Sequence, residues 1–175
     1  MTHFAVTAIG ADRPGIVAAL SQALLQVGGN IEDVSSTILR GHFASMLVVE
    51  TDADAGALGA ALEGALGPLG VQVTVADVEI GAPDRPSPTH VLSAYGTDRP
   101  GILARLSRVL ADRGVNVAQL SCWLAADSDP PLYAIGAELE VPPGLEPDAL
   151  GRELAEAAGH VGVDVTLTPI EVETL

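Results

Sequence analysis

Gly10-Ala11-Asp12-Arg13-Pro14-Gly15-Ile16 returns 86 residues later as Gly96-Thr97-Asp98-Arg99-Pro100-Gly101-Ile102. At that offset, 13 of the 26 positions from Gly10 to Ser35 are identical in the second stretch. The 175 residues are therefore read as one small module written twice. The expected division is a first domain at 1–81, a linker at 82–88 and a second domain at 89–175. The linker region, Gly81 to Pro88, has three prolines in eight residues and reads as a semi-rigid spacer. Modules this small bury modest cores, so packing of one copy on the other is expected to add stability.

Working outward from the repeat, each copy reads strand, helix, strand, strand, helix, strand. Strand one is expected at His3–Ile9 and His90–Tyr95. Ile16, Leu20, Leu24 and Val27 follow at helical spacing, and Ile102, Leu106, Val109 and Leu110 repeat them. Gly28 and Gly114 stand where left-handed helix caps belong. Strand two is expected from Asn30 to Arg40 and from Asn116 to Ala125, and strand three at Phe43–Glu50 and Tyr133–Val141. A tight turn at Arg40-Gly41-His42 joins them in the first copy, and a longer loop at Ala126–Pro131 in the second. Leu58, Leu62 and Leu66, then Leu150, Leu154 and Ala158, mark the second helices, with Asp54 and Asp148 near their starts. In the last strands, Val71, Val73 and Val75 change phase to Val78 and Ile80, and Val163, Val165 and Leu167 change to Ile170 and Val172. That change predicts a bulge near Ala76–Asp77 and Thr168–Pro169. The pattern implies an α+β fold: two ferredoxin-like βαββαβ units, each with a four-stranded antiparallel sheet and both helices on one face. Strand two is then an edge, and pairing the sheets side by side through it would remove two open edges.

Composition excludes several classes of function. The net charge is −15, shared as −7 over residues 1–82 and −8 over residues 83–175. Neither half carries a basic stripe for phosphates, so direct nucleic-acid binding is not expected. No apolar run approaches the length of a membrane span, and Met1-Thr2-His3-Phe4 lacks a basic, apolar leader pattern. With Cys122 the only cysteine, no internal disulfide is possible and a cytoplasmic setting is expected. His3, His42, His90 and His160 lack metal-ligand spacing, so no metal and no cofactor is expected. Glu138 and Glu140 share a strand face but read as a solvated strand end. No nucleophile–base–orienter set emerges, and no catalytic residue is assigned.

Chemistry concentrates at the turn from strand one to helix one. Asp12 is placed to cap the helix, with Pro14 in its first turn. Gly15 weakens a helix relative to Ala, which suggests that a side-chain-free position is needed for a close approach. Free N–H groups at a helix start, with the helix dipole, favour a carboxylate or phosphate. Asn30 and Asn116, opening strand two beside that turn, offer a donor and an acceptor to a small zwitterion. Asp-x-Pro-Gly is also an ordinary way to begin a helix, and duplication preserves structural residues as readily as functional ones.

Gly10-x-Asp12-Arg13-Pro14-Gly15-Ile16-Val17, followed by Leu20, Gly28, Asn30 and Ile31, resembles the ACT domain, a small regulatory module that binds amino acids. The run Ser36–Ala44 is similar to tandem-ACT proteins of the glycine cleavage system transcriptional repressor type. The resemblance covers about 3–80 and 89–173 and implies paired modules joined through strand two into an eight-stranded sheet. It implies ligands held between the turn of one module and the facing strand of the other. Carried over by position, the ligand-binding residues are Asp12, Arg13, Pro14, Gly15, Ile16 and Asn30, with Asp98, Arg99, Pro100, Gly101, Ile102 and Asn116 in the second copy. Cys122-Trp123 in place of Ser36-Thr37, and the longer loop at Asp127–Pro131, set the second site apart from the first.

The resemblance thus implies a non-catalytic sensor of a small amino acid, glycine or serine first by analogy, that modulates a protein partner such as a transcription factor or metabolic enzyme. A homodimer is compatible with it. The alternative is a constitutive interaction adaptor with a vestigial pocket. A small enzyme on the same scaffold is the weakest reading.

Overall fold

The computed structural model describes residues 1–79, 87–125 and 131–170. Most of the Pro-rich linker, most of the 126–131 loop, and Ile80 and Val172 of the expected change of phase lie outside the described residues. The chain divides into two compact units, Met1–Pro83 and Asp84–Leu175. The first contains β1 (Thr2–Ala11), α1 (Ile16–Gln26), β2 (Asn30–Leu39), β3 (His42–Thr51), α2 (Ala55–Leu66) and β4 (Val71–Asp77). The second contains β5 (His90–Thr97), α3 (Ile102–Asp112), β6 (Asn116–Ala125), β7 (Leu132–Glu140), α4 (Pro147–Gly159) and β8 (Val163–Pro169). Each unit is a βαββαβ fold with one antiparallel sheet, ordered β2-β3-β1-β4 and β6-β7-β5-β8.

Period-two burial on the strands and helical spacing on α1 and α2 meet in one core. Phe4, Val6 and Ala8 of β1, with Leu47 and Val49 of β3, pack against Ile16, Leu20 and Leu24 and against Leu58, Leu62 and Leu66. Each large aliphatic side chain buried this way contributes roughly 1.5–3 kcal/mol. The second unit repeats the arrangement, with Leu92, Ile135 and Leu139 against Ile102, Leu106, Leu110, Leu150 and Leu154. Both helices therefore cover the same sheet face. The opposite face of the first sheet carries His3, Thr7, Met46 and Glu50, and neither described helix of this unit covers it. The edge strand β2 is exposed at every residue, Ile31, Val34 and Ile38 included.

Turn chemistry follows the expected residues in places. Leu39 pairs with His42, and the two residues between them, Arg40 and Gly41, have φ of 49° and 80°. Both are left-handed, as a two-residue hairpin of type I′ requires. Asp54 caps α2, its Oδ1 accepting the Ala57 N–H at 2.8 Å. Asp148 lies in the first turn of α4.

The predicted bulges at Ala76–Asp77 and Thr168–Pro169 are not formed. β4 and β8 pair in unbroken register to Asp77 and Pro169, where both strands end. The change of phase marks the end of the ladder. Val78 and Ile170 leave it, each donating one N–H back, to the carbonyls of His3 and Thr89. The bulges lie instead in β2, between Ile31 and Asp33, and in β6, between Val117 and Gln119. Glu32 and Ala118 are the extra residues, and these positions are 86 residues apart like the motif itself.

Candidate ligand-binding turns

The β1–α1 turn is built differently from the expected cap. α1 begins at Ile16 with Gly15 as N-cap at φ 98°, no side chain caps it, and Pro14 precedes the helix. Asp12 instead donates its backbone N–H to the Gly41 carbonyl at 2.8 Å, which ties the turn to the β2–β3 hairpin. The second copy repeats this with Gly101 at φ 95° and Asp98 N–H on the Pro131 carbonyl at 3.3 Å. Neither aspartate is the helix cap. Glycine is required because the chain enters the helix through a left-handed residue, which costs an L side chain about 1–2 kcal/mol. A Cβ at Gly15 or Gly101 would meet no atom within 4 Å, so no neighbour in the molecule demands the space.

Close approach occurs five residues earlier. A Cβ on Gly10 would lie 2.8 Å from the Gly70 carbonyl oxygen, and one on Gly96 2.6 Å from that of Gly162. The first glycine of the motif lets β1 and β5 press against the starts of β4 and β8.

In the second unit, Asp98, Arg99, Pro100, Gly101 and Ile102 line one cavity of about 550 Å³, together with Ser107 of α3 and Tyr133 of β7. Ile16 and Ile102 turn their side chains into the cores, each 2% exposed, and can offer a ligand only backbone groups. Tyr133 escaped the motif-based reading because it lies far along the chain. Its register opposite Gly96, matching Phe43 opposite Gly10, is the signal that locates it. Its phenol pKa is pushed up to about 12, first by a hydrogen bond with Cys122, then by burial and by the nearby Cys122 and Asp98 charges. A neutral hydroxyl thus stands at the cavity wall at any ordinary pH.

Asn30 and Asn116 are not beside the turn of their own unit. Asn30 pairs with Glu50, which also faces His3 near the start of β1, whereas Asp12 follows the far end of β1. Helix α1 returns along the sheet before β2 begins, so about eight strand residues, roughly 25–30 Å, separate the two. Asn116 is placed likewise opposite Glu140, and its Nδ2 donates to Glu140 Oε2 at 3.4 Å.

A second cluster had no trace in residue spacing. His3, Glu32 and Glu50 bring their ligand-type atoms within 4.8 Å of one another. No helix among the described residues is long and apolar enough to cross a membrane.

Two ferredoxin-like units in tandem, each with a glycine-entered helix start at the end of its first strand, make the chain a duplicated βαββαβ module. Residues 2–76 and, separately, 90–125 match the ACT domain, and the chain belongs to the ACT-domain family. A UPF0237 protein of Methanopyrus kandleri is 49% identical over 78 residues, covering 43% of this chain and 87% of the relative. A phosphoserine phosphatase of Mycobacterium tuberculosis is 28% identical over 167 residues, 91% of this chain but 39% of that protein. Among solved structures, an unknown protein from Galdieria sulphuraria matches with TM-score 0.81 and 29% identity, over 97% of this chain and 99% of that one. A candidate glycine cleavage system transcriptional repressor matches with TM-score 0.69 and 20% identity over 98% of both chains, a likeness of fold.

Proposed function

We propose that the chain is a non-catalytic cytoplasmic regulator that binds a small amino acid between its two modules and alters its contact with a protein partner. The cavity at the β5–α3 turn carries this reading. The first-turn N–H groups of α3 and the Arg99 guanidinium suit a carboxylate. Tyr133 and Ser107 add neutral hydroxyls for an ammonium or a side chain. The cavity is open to solvent, which favours a site that a second element closes.

We infer that the edge strand of the other module is that element. Antiparallel pairing of the exposed edges β2 and β6 would carry Asn116 to the Asp12 turn and Asn30 to the Asp98 turn. Each asparagine would then serve the other module's site. Binding across such a seam shifts the equilibrium between module arrangements by the ligand's differential affinity. A transcriptional regulator or a metabolic enzyme is the proposed kind of partner.

The test is thermal shift and Trp123 emission of the full chain titrated with each standard amino acid, glycine and serine first. Saturable binding that Arg99→Ala removes is expected. A flat response to every amino acid would refute the sensor and leave a constitutive adaptor.

A further inference from the structure

We propose that the helix-free face of the first unit's sheet carries a binding site for a divalent transition-metal ion, formed by His3, Glu32 and Glu50. It does not rest on the amino-acid reading, although Glu50 is the cross-strand partner of Asn30.

The backbone assembles the three residues from three strands. His3 and Glu50 are direct cross-strand partners of β1 and β3. Glu32 is the extra residue of the β2 bulge, and bulges re-aim side chains. His3 Nε2 lies 3.4 Å from Glu32 Oε2 and 3.9 Å from Glu50 Oε1. A tetrahedral Zn²⁺ with bonds of about 2.0–2.1 Å holds its ligand atoms about 3.3–3.4 Å apart. The His3–Glu32 pair already has that spacing, the His3–Glu50 pair is about half an ångström wider, and all three ligand atoms lie within 4.8 Å of one another.

Charge points the same way. Two carboxylates converge on one imidazole in a chain of net charge −15, and no arginine among the described residues pairs with either. Even with His3 protonated the cluster keeps an excess negative charge, which a divalent cation would neutralise. The imidazole favours Zn²⁺ and its transition-metal neighbours over Mg²⁺ and Ca²⁺, which prefer all-oxygen sites. Three protein ligands leave a coordination position for water or a partner's donor.

The second unit supplies an internal control. It forms the same bulge with Ala118 in place of Glu32, and Thr89 stands where His3 stands in the first. Only Glu140, paired with Asn116 as Glu50 is with Asn30, remains. The fold therefore needs neither His3 nor Glu32.

Calorimetric titration of untagged full-length chain with Zn²⁺, and visible absorption with Co²⁺, test the site. Wild type should take up one ion here. Glu32→Ala and His3→Thr, which copy the second unit, should each weaken it at least tenfold with an unchanged circular dichroism spectrum. Glu140→Gln should bind as wild type, and a large excess of Mg²⁺ should not compete. The proposal is overturned if wild type binds no Zn²⁺, if both copying variants bind as tightly as wild type, or if Mg²⁺ displaces the ion at comparable concentration.

Discussion

Gly96 of β5 lies against Gly162 so closely that a Cβ on Gly96 would stand 2.6 Å from the Gly162 carbonyl oxygen, while a Cβ at Gly101 would meet nothing within 4 Å. Two glycines of one heptapeptide are thus required for different reasons, and substitution separates them.

Gly96→Ala forces backbone apart and should cost the second unit about 3 kcal/mol or more, the upper part of the overpacking range. Gly101→Ala meets only the left-handed backbone penalty, about 1–2 kcal/mol. Urea denaturation followed by Trp123, the sole tryptophan and a reporter on β6, measures both. Equal losses would contradict the assigned causes.

Asp54→Ala removes the side-chain cap of α2 and should cost about 1 kcal/mol. Asp12→Ala leaves the start of α1 as it is, because among the described residues α1 has no side-chain cap and the Asp12 backbone N–H bonds Gly41. Its loss should fall within about 0.5 kcal/mol. Calorimetric scans of the two variants should order them that way, and a larger loss for Asp12→Ala would restore the aspartate as a cap.

Tyr133 gives the fold a signature in alkali. Its folded pKa of about 12 exceeds the ordinary value of about 10, so folding favours the neutral phenol. That contribution is complete below pH about 10 and is lost as pH rises from there through about 12. Phenolate absorbance should show a titration step near 12 that Tyr133→Phe abolishes. Cys122→Ala, which removes the leading cause, should shift the step toward 10. A step unmoved by both variants would show that Tyr133 is not its source.

The two turns differ in what surrounds them, Tyr133 and Cys122 standing where the first unit has Phe43 and Ser36. Amino-acid affinity should therefore be unequal at the two. Arg99→Ala should weaken the tighter binding at least tenfold, and Arg13→Ala should leave that phase nearly intact. Equal weakening by both, read from calorimetric isotherms, would make the sites equivalent.

Repetition and periodicity make the architecture legible in the sequence. The heptapeptide and its return, the leucines at helical spacing and the alternating valines are local patterns, and each element that they mark is present. The ACT-domain membership rests on the same local residues. What failed were readings that needed the path of the chain. Asp12 looked like a cap because spacing alone cannot show that Gly15 turns left-handed first. Asn30 looked adjacent to the turn because one helix lies between them in sequence, yet that helix spans the sheet and delivers Asn30 to the opposite end.

Tertiary pairing likewise decided two groupings that no spacing along the chain announces. Antiparallel register sets Tyr133 beside Asp98 and Arg99. A one-residue bulge brings Glu32 to His3 and Glu50, three residues distant in sequence joined by hydrogen-bonded strands. Local order is written residue by residue, whereas side-chain neighbourhoods across a sheet depend on register, which arises only when the strands meet.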